Sequence, residues 1–365
     1  MTAIETKVAE MRNGTKGRIS DEKIERQEED GQQPSLDLFF ETVHSFYRTE
    51  SLKAAIQLGV FTAIGEGVDT TEAIAQRCQA SERGTRILCN FLVLIGFLKK
   101  EGNRYELTID SKAFLDANSP YYAGNSIEYL LSPTQTDGFK DLASAVRKGG
   151  TNLSKEGVLA PEHPVWVTFA RAMVPILKLP SELLASLLVD TGSKSHAKVL
   201  DIAAGHGLFG IAIAKRNPNA RVFAVDWPNV MTVAQENARA AGVVNQYFTL
   251  PGSALELQYD SDYDLVVIPN FLHHLDIESI EKFLRKIFGA LKSGGRVAIL
   301  EFIPNEDRVS PPVAVTFGVM MLGITPAGDA YAYSDYQNIL RRVGFSKVEL
   351  LSLPPTYFRV VVAQK

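Results

Sequence analysis

From residue 197 onward the chain alternates between short runs dense in branched apolar residues and longer runs with apolar residues at helical spacing. In order these are AKVLDIA, GLFGIAIAKR, RVFAVDW, NVMTVAQENARAAG, NQYFTL, YDLVVIPNFLH, IESIEKFLRKIFGALK, GRVAILEFI, DYQNILRRVG, KVELLSL and FRVVVAQ. Strand-like runs separated by amphipathic helices build an α/β fold, a mostly parallel, doubly wound sheet with helices on both faces. One connection departs from that pattern. Only Pro354, Pro355, Thr356 and Tyr357 separate the last two strands, whereas a parallel crossover takes about a dozen residues or more. Those strands are therefore expected to pair as an antiparallel hairpin.

The first half of the chain reads differently. Residues 1–34 contain no aromatic residue, and Asp21 to Asp30 carries eight charges in ten positions, so this segment is expected to be a mobile charged tail. Next, LDLFFETVHSFYRTESLKAAIQLGVF predicts two helices broken near Glu50-Ser51, where a cap-like step interrupts the apolar spacing. Thr70-Thr71-Glu72 and Ser81-Glu82 open two more helices, and KKEGNRYELT predicts a hairpin around Gly102-Asn103. Residues 35–118 thus form a mostly helical, winged-helix-like domain. Its third helix, Arg83 to Leu98, carries Ile87, Leu88, Phe91, Leu92 and Phe97 rather than a basic face, which favours dimerisation over DNA reading. Residues 119–195 read as a helical linker punctuated by proline, and 196–365 as the α/β domain.

Composition narrows the function classes. A net charge of −4 without a Lys/Arg block argues against nucleic acid or anionic membrane as partners. Ser310 to Gly328, the longest uncharged stretch worth testing, is interrupted by Pro311, Pro312 and Pro326, so no membrane span is expected. Cys78 and Cys89 are the only cysteines, and no signal-peptide pattern opens the chain. Both point to the cytoplasm. No ligand spacing suggests a metal. Small-molecule chemistry is the class left.

Val199-Leu200-Asp201-Ile202-Ala203-Ala204-Gly205-His206-Gly207 runs from strand into glycine turn, and Asp226 ends the next strand 19 residues after Gly207. Such a turn lets backbone approach a nucleotide-like cofactor, and the second acid can accept hydrogen bonds from both ribose hydroxyls. Gly205-x-Gly207-x-x-Gly210 also satisfies a dinucleotide fingerprint, which keeps a nicotinamide-dependent oxidoreductase open. Asp201 weighs the other way: a carboxylate there suits an ammonium group better than a pyrophosphate.

With these features the chain from about residue 36 resembles the class I S-adenosylmethionine-dependent small-molecule O-methyltransferases, the caffeate-type plant enzymes and their bacterial relatives. The resemblance implies a winged-helix dimerisation domain, a Rossmann-like domain with a reversed final strand, and a homodimer. It implies S-adenosylmethionine as cofactor, with Asp201, Ala203, Gly205 and Gly207 around its methionine part, Asp226 on the ribose and Trp227 beside the adenine. Ser253, Ala254 and Asn270 complete the expected cofactor set, although Gly252-Ser253-Ala254 stands where the family has Gly-Asp-Met or Gly-Asp-Phe. Glycines are usual where Ala203 and Ala204 stand, and Pro269 replaces a basic residue common in the plant enzymes.

Phe271-Leu272-His273-His274-Leu275-Asp276 follows the fourth strand of the α/β domain and puts two histidines at its carboxyl edge. Imidazole suits removal of a hydroxyl proton near neutral pH. The resemblance makes His273 the general base and Glu301 the acid that orients it. In the family an aspartate follows the base; here it is His274, expected to be a supporting or surface residue. The family's second glutamate has no counterpart, and Asp329 is the nearest candidate. Phe169, Met173, Met320, Met321 and Thr325 are expected to line the acceptor pocket. The implied reaction is O-methylation of a hydroxylated aromatic or other small secondary metabolite. C- or N-methylation, the oxidoreductase and a ligand-sensing winged-helix regulator stay open at this point.

Overall fold

A computed structural model describes residues 34–154, 156–190 and 197–365; the expected charged tail lies outside the described residues, Pro34 apart. The chain divides into two compact units, Met1–Ala54 and Ala55–Lys365. Most of the helix Asp37–Leu58 falls in the first unit and displays Leu38, Phe39, Phe40, Val43, Phe46 and Tyr47 as exposed side chains.

That helix runs unbroken through Glu50-Ser51, against expectation. The break comes at Gly59, whose left-handed φ of 72° turns the chain before the next helix, Val60–Gly65. Cap-like side chains do not stop a helix when the backbone can continue; a residue at positive φ does. The next two helix starts follow the sequence. Thr70 and Ser81 cap Thr71–Arg77 and Glu82–Leu94, each side chain accepting a backbone N–H. The second of these helices ends before the expected Leu98, and the chain then turns through a β1 (Leu98–Glu101), β2 (Arg104–Leu107) hairpin.

The α/β domain contains β3 (Lys198–Ile202), β4 (Arg221–Asp226), β5 (Tyr247–Pro251), β6 (Tyr263–Pro269), β7 (Leu291–Glu301), β8 (Ser346–Ser352) and β9 (Arg359–Gln364). They form one sheet in the order β5-β4-β3-β6-β7-β9-β8. The pairs from β5 to β7 are parallel, while β9 lies antiparallel to both β7 and β8, the hairpin that the four-residue connection required.

Period-two side-chain alternation splits the core into two layers. Val199, Leu265, Val267, Ala298, Leu300 and Val360 pack on one face with Leu177, Leu184, Phe209 and Ile213 from the helices Val174–Leu188 and Leu208–Arg216. Leu200, Val266, Ile268, Val297, Ile299 and Val361 pack on the other with Phe283, Leu284, Ile287, Ile339 and Leu340 from Ile277–Ala290 and Tyr333–Val343. Asp276 caps Ile277–Ala290 by accepting the Ser279 N–H at 2.7 Å. Ile277, at the start of this helix, is exposed. The strand order reverses direction between β3 and β6, so the crevice for a ligand opens at their carboxyl ends.

Candidate active site

At that crevice lies a cavity of about 460 Å³. The carboxyl ends of four parallel strands and the turns after them supply one wall: Ala203–His206 at β3, Asp226 and Trp227 at β4, Gly252–Glu256 at β5, and Pro269, Asn270, Phe271, His273, His274 and Leu275 at β6. The opposite wall is apolar, with Tyr129, Trp166, Phe169, Met173, Leu177, Phe302, Phe317, Met320 and Met321.

Backbone conformation explains the β3 and β6 turns. Gly205 and Gly207 adopt φ of 57° and 77°, and a Cβ on Gly207 would stand 2.7 Å from the Tyr247 hydroxyl. Ala203 and Asn270 also lie at positive φ, 49° and 53°. Left-handed backbone is costly for non-glycine residues and is held by the surrounding structure. It accounts for glycine being usual at Ala203 in the resembling family.

Asp226 ties two of these turns together. One carboxylate oxygen accepts the Gly205 N–H at 2.7 Å and the other the Trp227 N–H at 2.7 Å. Burial pushes its pKa up to about 6, against the pull of those two donors. Asp201 is fully buried behind the turn; Oδ2 accepts the Gly210 N–H at 2.9 Å and Oδ1 has no hydrogen-bond partner among the described residues. Burial, with Asp226 nearby, pushes this carboxyl up to about 8. Asn270 is on the cavity wall, and its Oδ1 is also buried without a partner among the described residues.

The histidine turn is held from beneath. Glu301 Oε1 accepts the backbone N–H groups of Phe271, Leu272 and His273 at 2.9–3.4 Å, and Oε2 lies 2.5 Å from His273 Nδ1. Burial raises the Glu301 pKa against those three N–H donors and lowers that of His273, so the low-dielectric site resists charge on either. Phe317 packs its edge on the His273 ring at 4.6 Å.

Of the expected residues, Ala203, Gly205, Asp226, Trp227, Ser253, Ala254, Asn270 and His273 meet at the cavity, as do Phe169, Met173, Met320 and Met321. Asp201, Gly207 and Glu301 stand one layer behind it. Thr325 does not line it: its hydroxyl is consumed between Met321 O and the Gly328 N–H. Asp329 does not replace the missing glutamate, because its exposed carboxylate accepts the Ala330 N–H while its backbone N–H donates to His273 O. His274 is not at the surface. It is 7% exposed, and its Nε2 lies 3.2 Å from His273 Nε2.

Several wall residues were not singled out as site residues from the sequence. His206 is buried with its ring stacked on Phe169 at 5.9 Å, and Trp166 sets its edge on His274 at 5.2 Å. His206 is the residue between the two turn glycines, a position that was legible; Trp166 and Phe317 come from distant segments and carried no local signal.

This sheet order, glycine turn and second acid define a methyltransferase domain of the S-adenosylmethionine-dependent type, and comparison with known proteins agrees. A methyltransferase domain model matches residues 199–295, and an O-methyltransferase dimerisation domain model matches residues 40–117. A Nostoc punctiforme protein classed as an O-methyltransferase has a crystal structure 52% identical in sequence, with a TM-score of 0.88, covering 91% of this chain and 100% of that one. The 3-hydroxy-5-methyl-1-naphthoate 3-O-methyltransferase of Streptomyces sahachiroi is 26% identical over 83% of this chain and 87% of its own length. Human N-acetylserotonin methyltransferase, solved with S-adenosylmethionine, shares the fold, with a TM-score of 0.77 at 21% identity over 92% and 98% of the two chains.

The chain belongs to the class I S-adenosylmethionine-dependent O-methyltransferase family with a dimerisation domain. It is an enzyme that uses S-adenosylmethionine to methylate small molecules. The oxidoreductase and regulator readings find no support in these comparisons. Among the described residues no helix is long and apolar enough to cross a membrane.

Proposed function

We propose that the acceptor is a hydroxylated aromatic, and that the His273–Glu301 pair supports removal of its proton. The observation that carries this reading is a buried imidazole–carboxylate pair opening onto a cavity walled by aromatic rings and thioethers. Such walls grip flat apolar molecules. The Streptomyces relative, named for a hydroxynaphthoate, supports a fused or flat ring.

S-adenosylmethionine supplies an electrophilic methyl group on a sulfonium. The protein's own residues hold and orient. Asp226 keeps lone pairs for ribose hydroxyls, Trp227, Ser253 and Ala254 on the cavity wall would take the adenine, and Asn270 Oδ1 would offer an acceptor to the methionine part. Gly207 lets the turn pack closely against Tyr247 and Ala234, and Asp201, once ionised opposite a bound cation, sets a negative field behind the turn. Unpartnered buried acceptors fit a cationic, donor-rich cofactor. His273, neutral because burial disfavours its imidazolium, is ready to receive a proton, and Glu301 stabilises the cation once formed.

We assign dimerisation to residues 35–118, the acceptor wall to helices within 119–195, and cofactor binding to 196–365. The matched dimerisation domain and the exposed aromatic side chains of Asp37–Leu58 support a homodimer. Cysteine usage supports a cytoplasmic enzyme.

The acceptor class is tested by incubating the enzyme with S-adenosylmethionine and matched panels of phenols, anilines and unsubstituted aromatics, with products assigned by NMR. Methyl ethers from the phenols alone are expected; products only on nitrogen or ring carbon would overturn this reading.

The cofactor arrangement carries its own pH dependence. Asp201, with its pKa up near 8, is largely protonated at pH 6–7 in the free enzyme. A cofactor ammonium drawn to it favours the carboxylate, so binding releases a proton and affinity rises with pH, levelling off above about 8. Titration calorimetry with S-adenosylhomocysteine in two buffers of different ionisation enthalpy is expected to read that release below pH 8. In Asp201→Asn it disappears.

A further inference from the structure

The two histidines of the turn are more than neighbours. Their ring centroids are 4.2 Å apart, and His273 Nε2 faces His274 Nε2 at 3.2 Å. Between two imidazole nitrogens at that distance one donates and the other accepts. With Glu301 as carboxylate, Oε2 accepts the N–H of His273 Nδ1, so neutral His273 presents a lone pair at Nε2. That lone pair accepts the Nε2–H of His274. His274 is then left with a lone pair at Nδ1, and this atom is buried, has no partner among the described residues and belongs to a residue on the cavity wall.

We propose that His274 Nδ1 receives the acceptor's proton, and that the chain Glu301–His273–His274 is a relay in which His273 is the inner station. This deepens the hydroxyl-acceptor reading above and rests on it. As the acceptor oxygen gains the methyl group and the carbon–sulfur bond breaks, the O–H proton moves to His274 Nδ1. The Nε2 proton of His274 moves on to His273 Nε2. The sulfonium charge is lost as one positive charge appears on His273, beside the carboxylate of Glu301, and His274 ends neutral as its other tautomer.

The arrangement has a physical logic. An imidazolium formed on His274 would have no counter-charge in contact among the described residues. Moving the charge one ring inward places it 2.5 Å from Glu301. The surroundings keep both rings in place: Trp166 edges against His274, Phe317 against His273, and Asp329 N–H holds His273 O at 3.0 Å. Gly328 allows that last contact, since a Cβ there would stand 2.3 Å from His273 O.

Two measurements test the relay. In His274→Gln the amide nitrogen can still donate toward His273 Nε2 and keep that lone pair engaged, but no base remains at position 274. Turnover of a simple phenol is expected to fall about 100-fold, and that of a nitrophenol, already acidic, less than tenfold. A loss independent of acceptor acidity, or no loss, would overturn the proposal. Independently, nitrogen-15 NMR of histidine-labelled enzyme with S-adenosylhomocysteine, at a pH where Glu301 is ionised, is expected to show His273 protonated at Nδ1 and His274 at Nε2. His274 protonated at Nδ1 would overturn the relay even for an enzyme that methylates none of the hydroxyl acceptors, an outcome that would refute the acceptor reading by itself.

Discussion

His273→Ala is expected to lower kcat by about 10³-fold for a phenolic acceptor while leaving the affinity for S-adenosylhomocysteine within about threefold of wild type. The separation follows from the architecture. His273 stands on the turn after β6 and bonds to Glu301, whereas the turns after β3 and β4 are joined to each other by Asp226. Removing the imidazole takes away the station that carries the proton's charge, and with it His274's only side-chain hydrogen-bond partner among the described residues. Glu301 Oε2 is left buried without that partner, at a cost of about 1–3 kcal/mol in stability. The turn should survive, because Oε1 still accepts three backbone N–H groups. Residual turnover reflects proximity, since cofactor and acceptor are still held together. Steady-state kinetics paired with calorimetry checks the result; unchanged kcat would remove His273 from the chemistry.

The parts of this enzyme that could be read from the sequence are those governed by short-range rules. Strand and helix periods announce the α/β sheet, and four residues between KVELLSL and FRVVVAQ leave room for a hairpin and no crossover. Asp226 stands out in the sequence by its spacing from the glycine turn, whereas His273 and Glu301 are singled out by the family resemblance at the ends of two strands. The failures share a cause as well. Whether Thr325 offers its hydroxyl to a ligand depends on Met321 O and the Gly328 N–H, which consume it. Asp329 was near enough in sequence to substitute for a glutamate, but its carboxylate closes on the next residue's N–H. His274 follows His273 directly, and adjacent residues on a strand would point apart. A 3-10 turn over Leu272–His274 brings the rings together instead. No local pattern reports that turn, because three N–H groups gathered by the distant Glu301 shape it. At Gly59 the reverse holds: the residue that ends the first helix was visible, but the capping chemistry at Glu50-Ser51 drew the prediction eight residues early.

Asp226→Asn gives the mirror image of the His273 result, weakening S-adenosylmethionine and S-adenosylhomocysteine binding alike by about 100-fold, with kcat at saturating cofactor within a few-fold of wild type. Asp226 already gives one lone pair on each oxygen to a backbone N–H, Gly205 on one side and Trp227 on the other. An asparagine has a single oxygen, so one of those N–H groups must face an N–H₂ donor, and one acceptor for the ribose is lost with the charge. A lost charge-assisted hydrogen bond costs about 1.5–3 kcal/mol, and 100-fold in affinity corresponds to about 2.7 kcal/mol. The two ligands differ at sulfur and share the ribose, so equal losses place the carboxylate on the ribose, whereas a loss confined to S-adenosylmethionine would place it near the sulfonium. Calorimetric titration of both ligands distinguishes these outcomes. Loop disruption is separated from lost ribose contact by Asp226→Glu, which keeps the charge but lengthens the reach: it should misplace the Gly205 and Trp227 N–H bonds while retaining an acceptor for hydroxyls. Affinity for Asp226→Glu between those of wild type and Asp226→Asn assigns the remaining loss to the turn, which is where the strained backbone of Ala203 depends on its neighbours.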